Sequence, residues 1–274
     1  MLPSPHVLNR AGCPLHYWLY GREGSPMVIL THGATADQRM FAEQVPLLAQ
    51  EYRVLTWDVR GHGQSRPLGE SFSVALAVED LLAILDEVGC RQAVLAGQSM
   101  GTYIGQEFVF RHPERVLALV VVGGTCVTLN KLSFADSLAL YSTPLMFSVY
   151  PYNSLRKAFA KASSIRSDVQ DYLFQASGQI PKRDFINIWT GMLSCLHYEP
   201  GYRIQQPLLI THGEYDKTGN IKKIAPQWAE RDRARYVVIP DASHCANQDN
   251  PEFFNRLLLE FLHEHTPIPE APGR

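Results

Sequence analysis

Apolar and polar positions along the chain change period several times, and each change marks an element. Pro26 to Thr31 holds a short continuous apolar run, the mark of a strand buried on both faces. Arg53–Asp58, Ala93–Gly97, Val116–Val122, Pro207–Thr211 and Arg235–Ile239 read the same way, and Leu15–Tyr20 alternates weakly as an opening strand. Between these runs the period lengthens. Residues 38–50 read as a helix with Phe41, Val45 and Leu48 on one face. Residues 73–88 read as an amphipathic helix. Val78, Leu81, Leu82, Leu85 and Val88 make its stripe, and Glu79, Asp80, Asp86 and Glu87 lie mostly off it. Gly89 is placed to end it in a left-handed turn. Thr102–His112, residues 221–231 and Pro251–His263 complete the helices. Strands alternating with helices predict an α/β fold with a mostly parallel sheet. Right-handed crossovers then place helices on both of its faces.

One stretch breaks the rhythm. Residues 125–206 show no strong strand, yet hold 12 of the 28 aromatic residues. The segment reads as an inserted helical cap (125–206) on a core domain made of 1–124 and 207–274. Most of these rings are expected to pack cap helices onto the core. Met146, Phe147 and Trp189, with Met100, are the candidates for lining a substrate pocket. The tail, Thr266 to Arg274, is Pro-rich and expected to fray.

Composition narrows the function classes. A formal charge of −2 over 274 residues and no basic runs argue against nucleic acid as a partner. No apolar run approaches the ~20 residues that span a bilayer, so no membrane partner is expected. The first residues lack a basic and an apolar leader segment, and a cytoplasmic setting is the expectation. The five cysteines, Cys13, Cys90, Cys126, Cys195 and Cys245, are scattered without a C-x-x-C pair. Neither a zinc site nor a disulfide framework is expected.

The chemistry concentrates at Gly97-Gln98-Ser99-Met100-Gly101, between a predicted strand and a predicted helix. This is the G-x-S-x-G pattern of a sharp turn that lifts a serine hydroxyl above a sheet. A Cβ on either glycine would collide with the adjoining strand or helix. Three further loops follow predicted parallel strands: His32-Gly33-Ala34, His212-Gly213-Glu214-Tyr215-Asp216 and Asp241-Ala242-Ser243-His244. Ligand sites in such sheets lie at the strands' carboxyl ends, where these loops converge. A neutral serine needs a base, and the base needs a partner that fixes its tautomer. His244 is the candidate base and Asp216 the candidate acid, with Glu214 the alternative. Asp241 is assigned to the turn after Pro240, and His32, His62 and His212 to bonds with loop backbone. Two backbone N–H groups are needed for a developing oxyanion, and Met100 and Ala34 are placed to give them.

In these residues the chain resembles the α/β-hydrolase family, specifically its cap-bearing members with a Ser-Asp-His triad. The resemblance is carried by His32-Gly33, the Asp58–Ser65 loop with Arg60-Gly61-His62-Gly63, Gly97–Gly101, Gly213–Asp216, Ser243-His244 and Asn250-Pro251-Glu252-Phe253. It implies Ser99 as nucleophile, Asp216 as acid, His244 as base, no cofactor and no metal. A serine at 99 sets the chain apart from the family's haloalkane dehalogenase and epoxide hydrolase branches, which use an aspartate there. The expected activity is hydrolysis of small to medium carboxylic esters or lactones through an acyl-enzyme. The expected partners are an ester substrate and water, and a homodimer is compatible with the sequence. C–C or C–N bond hydrolysis on the same residues, or a slow-turnover ligand-binding protein, are the alternatives.

Overall fold

The computed structural model describes residues 3–129 and 134–266. The tail expected to fray lies, past Thr266, outside the described residues. The strands are β1 (His6–Arg10), β2 (Cys13–Tyr20), β3 (Met27–Thr31), β4 (Arg53–Trp57), β5 (Ala93–Gln98), β6 (Val116–Val122), β7 (Leu208–Gly213) and β8 (Arg235–Ile239). They form one 8-stranded sheet in the order β1-β2-β4-β3-β5-β6-β7-β8. The β1/β2 and β2/β4 pairs are antiparallel, and every pair from β4 to β8 is parallel.

The continuous apolar runs have a simple cause. Successive side chains of a strand point to opposite faces, and here both faces are covered. Ile29, Leu95, Leu119 and Val121 enter one core cluster, with α2 (Val74–Glu87), α3 (Met100–Arg111) and α8 (Ile221–Asp232). Val28, Leu30, Val94 and Val120 enter the other, with α1 (Val45–Leu48) and α10 (Pro251–His265). Between β6 and β7 the chain forms α4 (Phe134–Val149), α5 (Tyr152–Ser163), α6 (Ser167–Ser177) and α7 (Lys182–Leu193). A short α9 (Ala246–Asp249) precedes α10.

Three expectations needed correction. The helix expected over 38–50 is broken into a 3₁₀ turn, Gln38–Phe41, and α1. Phe41, Val45 and Leu48 are all buried as expected, but Pro46 has no N–H to continue a helix begun at 38. The opening strand is the second half of a hairpin, closed by Ala11 and Gly12 at positive φ. Its partner β1 is mostly exposed and carries little apolar signal. Asp80, read as lying off the stripe of its helix, is fully buried. Arg60 reaches it with Nε at 2.5 Å and Nη2 at 2.7 Å, and the more exposed Arg10 adds a contact at 3.2 Å.

Candidate active site

Ser99 occupies the step from β5 to α3 with φ 49° and ψ −112°. This is a strained conformation for a residue with a Cβ, and such strain gathers at functional sites. The flanking glycines allow the turn. A Cβ on Gly97 would fall 2.3 Å from the Gly101 carbonyl carbon and oxygen, and one on Gly101 would fall 2.1 Å from the Thr31 carbonyl oxygen. Both obstacles are backbone and cannot swing aside. The amide of Ser99 donates to the Val122 carbonyl at 2.9 Å, tying the turn to β6.

The loop after β3 passes directly beside this turn. A Cβ on Gly33 would lie 3.3 Å from Ser99 Cβ and would strike the Gln98 side chain at 2.0 Å. The backbone carrying Ala34 is thereby brought to the serine. Neither the Ala34 nor the Met100 N–H donates in the loop and cap hydrogen bonds of the described residues, and Met100, at the first position of α3, has no partner within its helix. Two free donors beside a serine are the arrangement an oxyanion requires. His32 shapes the loop from within. Its Nδ1–H donates to the Gly33 carbonyl at 2.8 Å, and its Nε2 accepts the Val59 N–H at 3.0 Å. Burial pushes His32 down to about 4 and His62 to about 3, so both rings are neutral and suit loop structure rather than proton transfer.

Asp216 and His244 come together over the same sheet end, with Nδ1 and Oδ2 2.9 Å apart. Both are buried. Burial alone would raise the Asp216 carboxyl. The hydrogen bond from His244, its charge and the Thr218 N–H at 2.8 Å outweigh that and hold it below its usual range. His244 is set beside the serine's turn: Gln98 Nε2 donates to the His244 carbonyl at 3.0 Å, and a Cβ on Gly123 would lie 3.0 Å from His244 Nδ1. Glu214, the alternative acid, accepts the Asp241 N–H at 3.3 Å instead. Asp241 has φ 47° in the turn after Pro240.

The four pocket candidates are placed differently. Phe147 is buried in an aromatic cluster, its ring centroid 5.3 Å from Trp189 and 5.6 Å from Phe159. Met146 is 55% exposed. Met100 is fully buried in the core. Among the described residues, no group of three His, Cys, Asp or Glu is placed to hold a metal ion. No helix among them is long and apolar enough to cross a membrane.

Asp58 carries a pH signature. It accepts the Gln38 N–H at 2.8 Å and the Gln64 N–H at 2.6 Å, yet burial pushes its carboxyl up to about 7. An unfolded aspartate titrates near ~4. Across that window the folded chain holds a proton that the unfolded chain has released, so this group makes stability fall as pH rises. Asp216, held low, acts in the opposite sense: its contribution is present above the usual aspartate range and is lost as pH falls below it. Asp58→Asn is therefore expected to flatten the dependence of unfolding free energy on pH between 5 and 7, by up to ~1.4 kcal/mol per pH unit. Urea titrations at several pH values measure the slope, and a slope equal to wild type removes Asp58 as its source.

A family model described as the alpha/beta hydrolase fold matches residues 26–251. Epoxide hydrolase 4 of Mus musculus is 25% identical over 284 residues, which cover 94% of this chain and 79% of that protein. 3-Oxoadipate enol-lactonase 1 of Acinetobacter baylyi is 24% identical over 256 residues, covering 93% and 96% of the two chains. The solved structure of a thermophilic esterase from Thermogutta terrifontis superposes with a TM-score of 0.83 at 20% identity, over 96% of this chain and all of that one.

Proposed function

The chain belongs to the alpha/beta hydrolase fold family, and from that premise we propose that it is a serine hydrolase of carboxylic esters and lactones. One observation carries the reading. A serine held at positive φ on a strand-to-helix turn shares a sheet end with a histidine already bonded to a buried carboxylate. In this reading Ser99 Oγ attacks the substrate carbonyl, and His244 Nε2 takes its proton while Nδ1–H stays on Asp216. The N–H groups of Ala34 and Met100 receive the oxyanion. His244 returns the proton to the departing alcohol, then deprotonates water, whose attack on the acyl carbonyl releases the acid as His244 passes that proton to Ser99 Oγ. The helices of segment 125–206 serve as the cap over this site, with Phe147 and Trp189 on its apolar side.

The nucleophile separates this reading from epoxide opening, despite the likeness to an epoxide hydrolase. A carboxylate that opens an epoxide leaves an ester, which water can cleave. A serine would leave an ether, which has no carbonyl for an imidazole-activated water to attack. Ser99 therefore directs the site to acyl groups. The test is a substrate panel of p-nitrophenyl acetate and butyrate, a γ-lactone and styrene oxide, with a fluorophosphonate label mapped by peptide mass. Turnover of esters or the lactone and a label on Ser99 are expected. Turnover of the epoxide alone, or a label elsewhere, would overturn the reading.

A further inference from the structure

The turn between α5 and α6 grips the loop that carries His244. Ser164 donates its hydroxyl to Asp249 Oδ1. The second oxygen of Asp249 accepts the Ser243 N–H at 2.7 Å and the Ile165 N–H at 3.3 Å. On the other side of the base, the Cys245 N–H donates to the Ser163 carbonyl at 2.7 Å. Arg166 Nη1 adds a bond to the Gln248 carbonyl at 2.8 Å. Both neighbours of His244 are thus pinned to the end of α5 and the turn after it: Cys245 by its amide, and Ser243 both through the Asp249 carboxylate and by its hydroxyl, which donates to the Ala162 carbonyl at 3.3 Å. Ser164, Ser243, Cys245 and Asp249 are all buried, so water does not compete for these bonds.

Helix α6 grips the second loop. The Tyr172 hydroxyl accepts the Asp37 N–H at 3.1 Å and reaches the Asp37 carbonyl at 3.1 Å and Oδ1 at 3.2 Å. Arg39 closes on the same carboxylate with Nη2 at 2.6 Å, its guanidinium 5.3 Å from the Tyr172 ring centroid. Asp37 ends the loop that carries Ala34. The limb itself is fixed: Ala160 of α5 and Val169 and Leu173 of α6 are buried in the same cluster as β3 and β5.

The geometry points to a brace: the α5–α6 limb is a fixed part of the catalytic apparatus, and Asp249 and Asp37 are positioning residues that set His244 and the Ala34 amide relative to Ser99. This rests on the serine-hydrolase reading. It divides the inserted helices by role, because the limb that holds two catalytic loops cannot swing away without dismantling them. Neither acid touches substrate; each acts through the loop it holds. Displacements on the order of 1 Å at a reacting group cost about a hundredfold in rate.

The test compares Asp249→Asn, Ser164→Ala and Tyr172→Phe with wild type on p-nitrophenyl butyrate. Active sites are counted by fluorophosphonate labelling to completion, and Tm is recorded in parallel. The expected result is a kcat per labelled site lower by about ten- to a hundredfold, with KM within about twofold. Ser164→Thr, which keeps the hydroxyl, is expected to restore most of that rate. If Asp249→Asn does not fold, Ser164→Ala carries the test, since it leaves the carboxylate in place. A lowered Tm with kcat per labelled site equal to wild type would reduce the limb to a stability element and overturn the brace. Ser99→Ala separates the two levels. If it is inactive while Asp249→Asn and Ser164→Ala match wild type, the brace alone fails; if it stays active, the serine reading fails and the brace with it.

Discussion

Replacing Ser99 by alanine is expected to lower kcat on a reactive ester by about 10⁴- to 10⁶-fold while leaving the fold in place. Two features set this size. The hydroxyl is the attacking atom in the proposed route, so its loss removes the covalent path altogether. The binding surface and the two free amides of Ala34 and Met100 remain, and such donors alone retain part of the rate. The fold survives because alanine places the same Cβ at φ 49°, a strain the native turn already tolerates. Asp216→Asn tests the other end of the relay. Its side chain presents either an amide or a single oxygen to His244 Nδ1, 2.9 Å away, and no charge to steady an imidazolium. A loss of about 10⁴-fold is expected there. Circular dichroism and Tm confirm folding, and initial rates on p-nitrophenyl butyrate give kcat. Near-wild-type turnover in folded Ser99→Ala would end the mechanism outright, whereas near-wild-type turnover in Asp216→Asn would remove only the carboxylate's role.

The elements that the sequence announces are those whose cause is local. Continuous apolar runs such as Val28–Leu30 and Val116–Val122 mark strands buried on both sides, and the sheet places them so. The glycines around Ser99 announce a turn because a Cβ on Gly97 would strike the Gly101 backbone and one on Gly101 would strike that of Thr31. His244 and Asp216 were legible as a pair from chain order and strand ends, and they are bonded. What escaped depends on partners far along the chain. Asp80 reads as a solvent-facing acid on its helix, since amphipathic periodicity does not register an arginine arriving from another loop. Asp249 looks like an ordinary acid before the last helix until Ser164 is seen against it. Tyr172 belongs to a segment whose aromatic excess reads as packing, yet its hydroxyl serves the loop after β3. The pocket candidates share this limit: composition selects rings, but whether Met146 turns outward depends on how α4 is rotated.

Arg60→Ala is expected to destabilise the chain by about 3–5 kcal/mol, because it leaves a carboxylate buried without its main partner. Both side chains of the Arg60–Asp80 pair are fully buried, and the guanidinium also donates to the Leu68 carbonyl at 3.2 Å. Arg10 offers no replacement. It meets only Asp80 Oδ1, at 3.2 Å, and is 36% exposed. Arg10→Ala is accordingly expected to cost less than about 1 kcal/mol. Removing both charges together with Arg60→Met and Asp80→Leu should recover much of the loss, since the penalty lies in the unpaired ion rather than in the absence of a salt bridge. Activity is expected to follow. Arg60 anchors the loop whose Val59 N–H donates to His32 Nε2, and His32 in turn orders the loop that brings Ala34 to Ser99. The single variant should therefore lose kcat at temperatures where it is still folded. Urea unfolding and Tm measure the stability, at about 2–4 °C per kcal/mol for a chain near this size. Equal stability losses for Arg10→Ala and Arg60→Ala would show that burial does not set the energetics of Asp80, and with that the link from this buried pair to the candidate active site would fall.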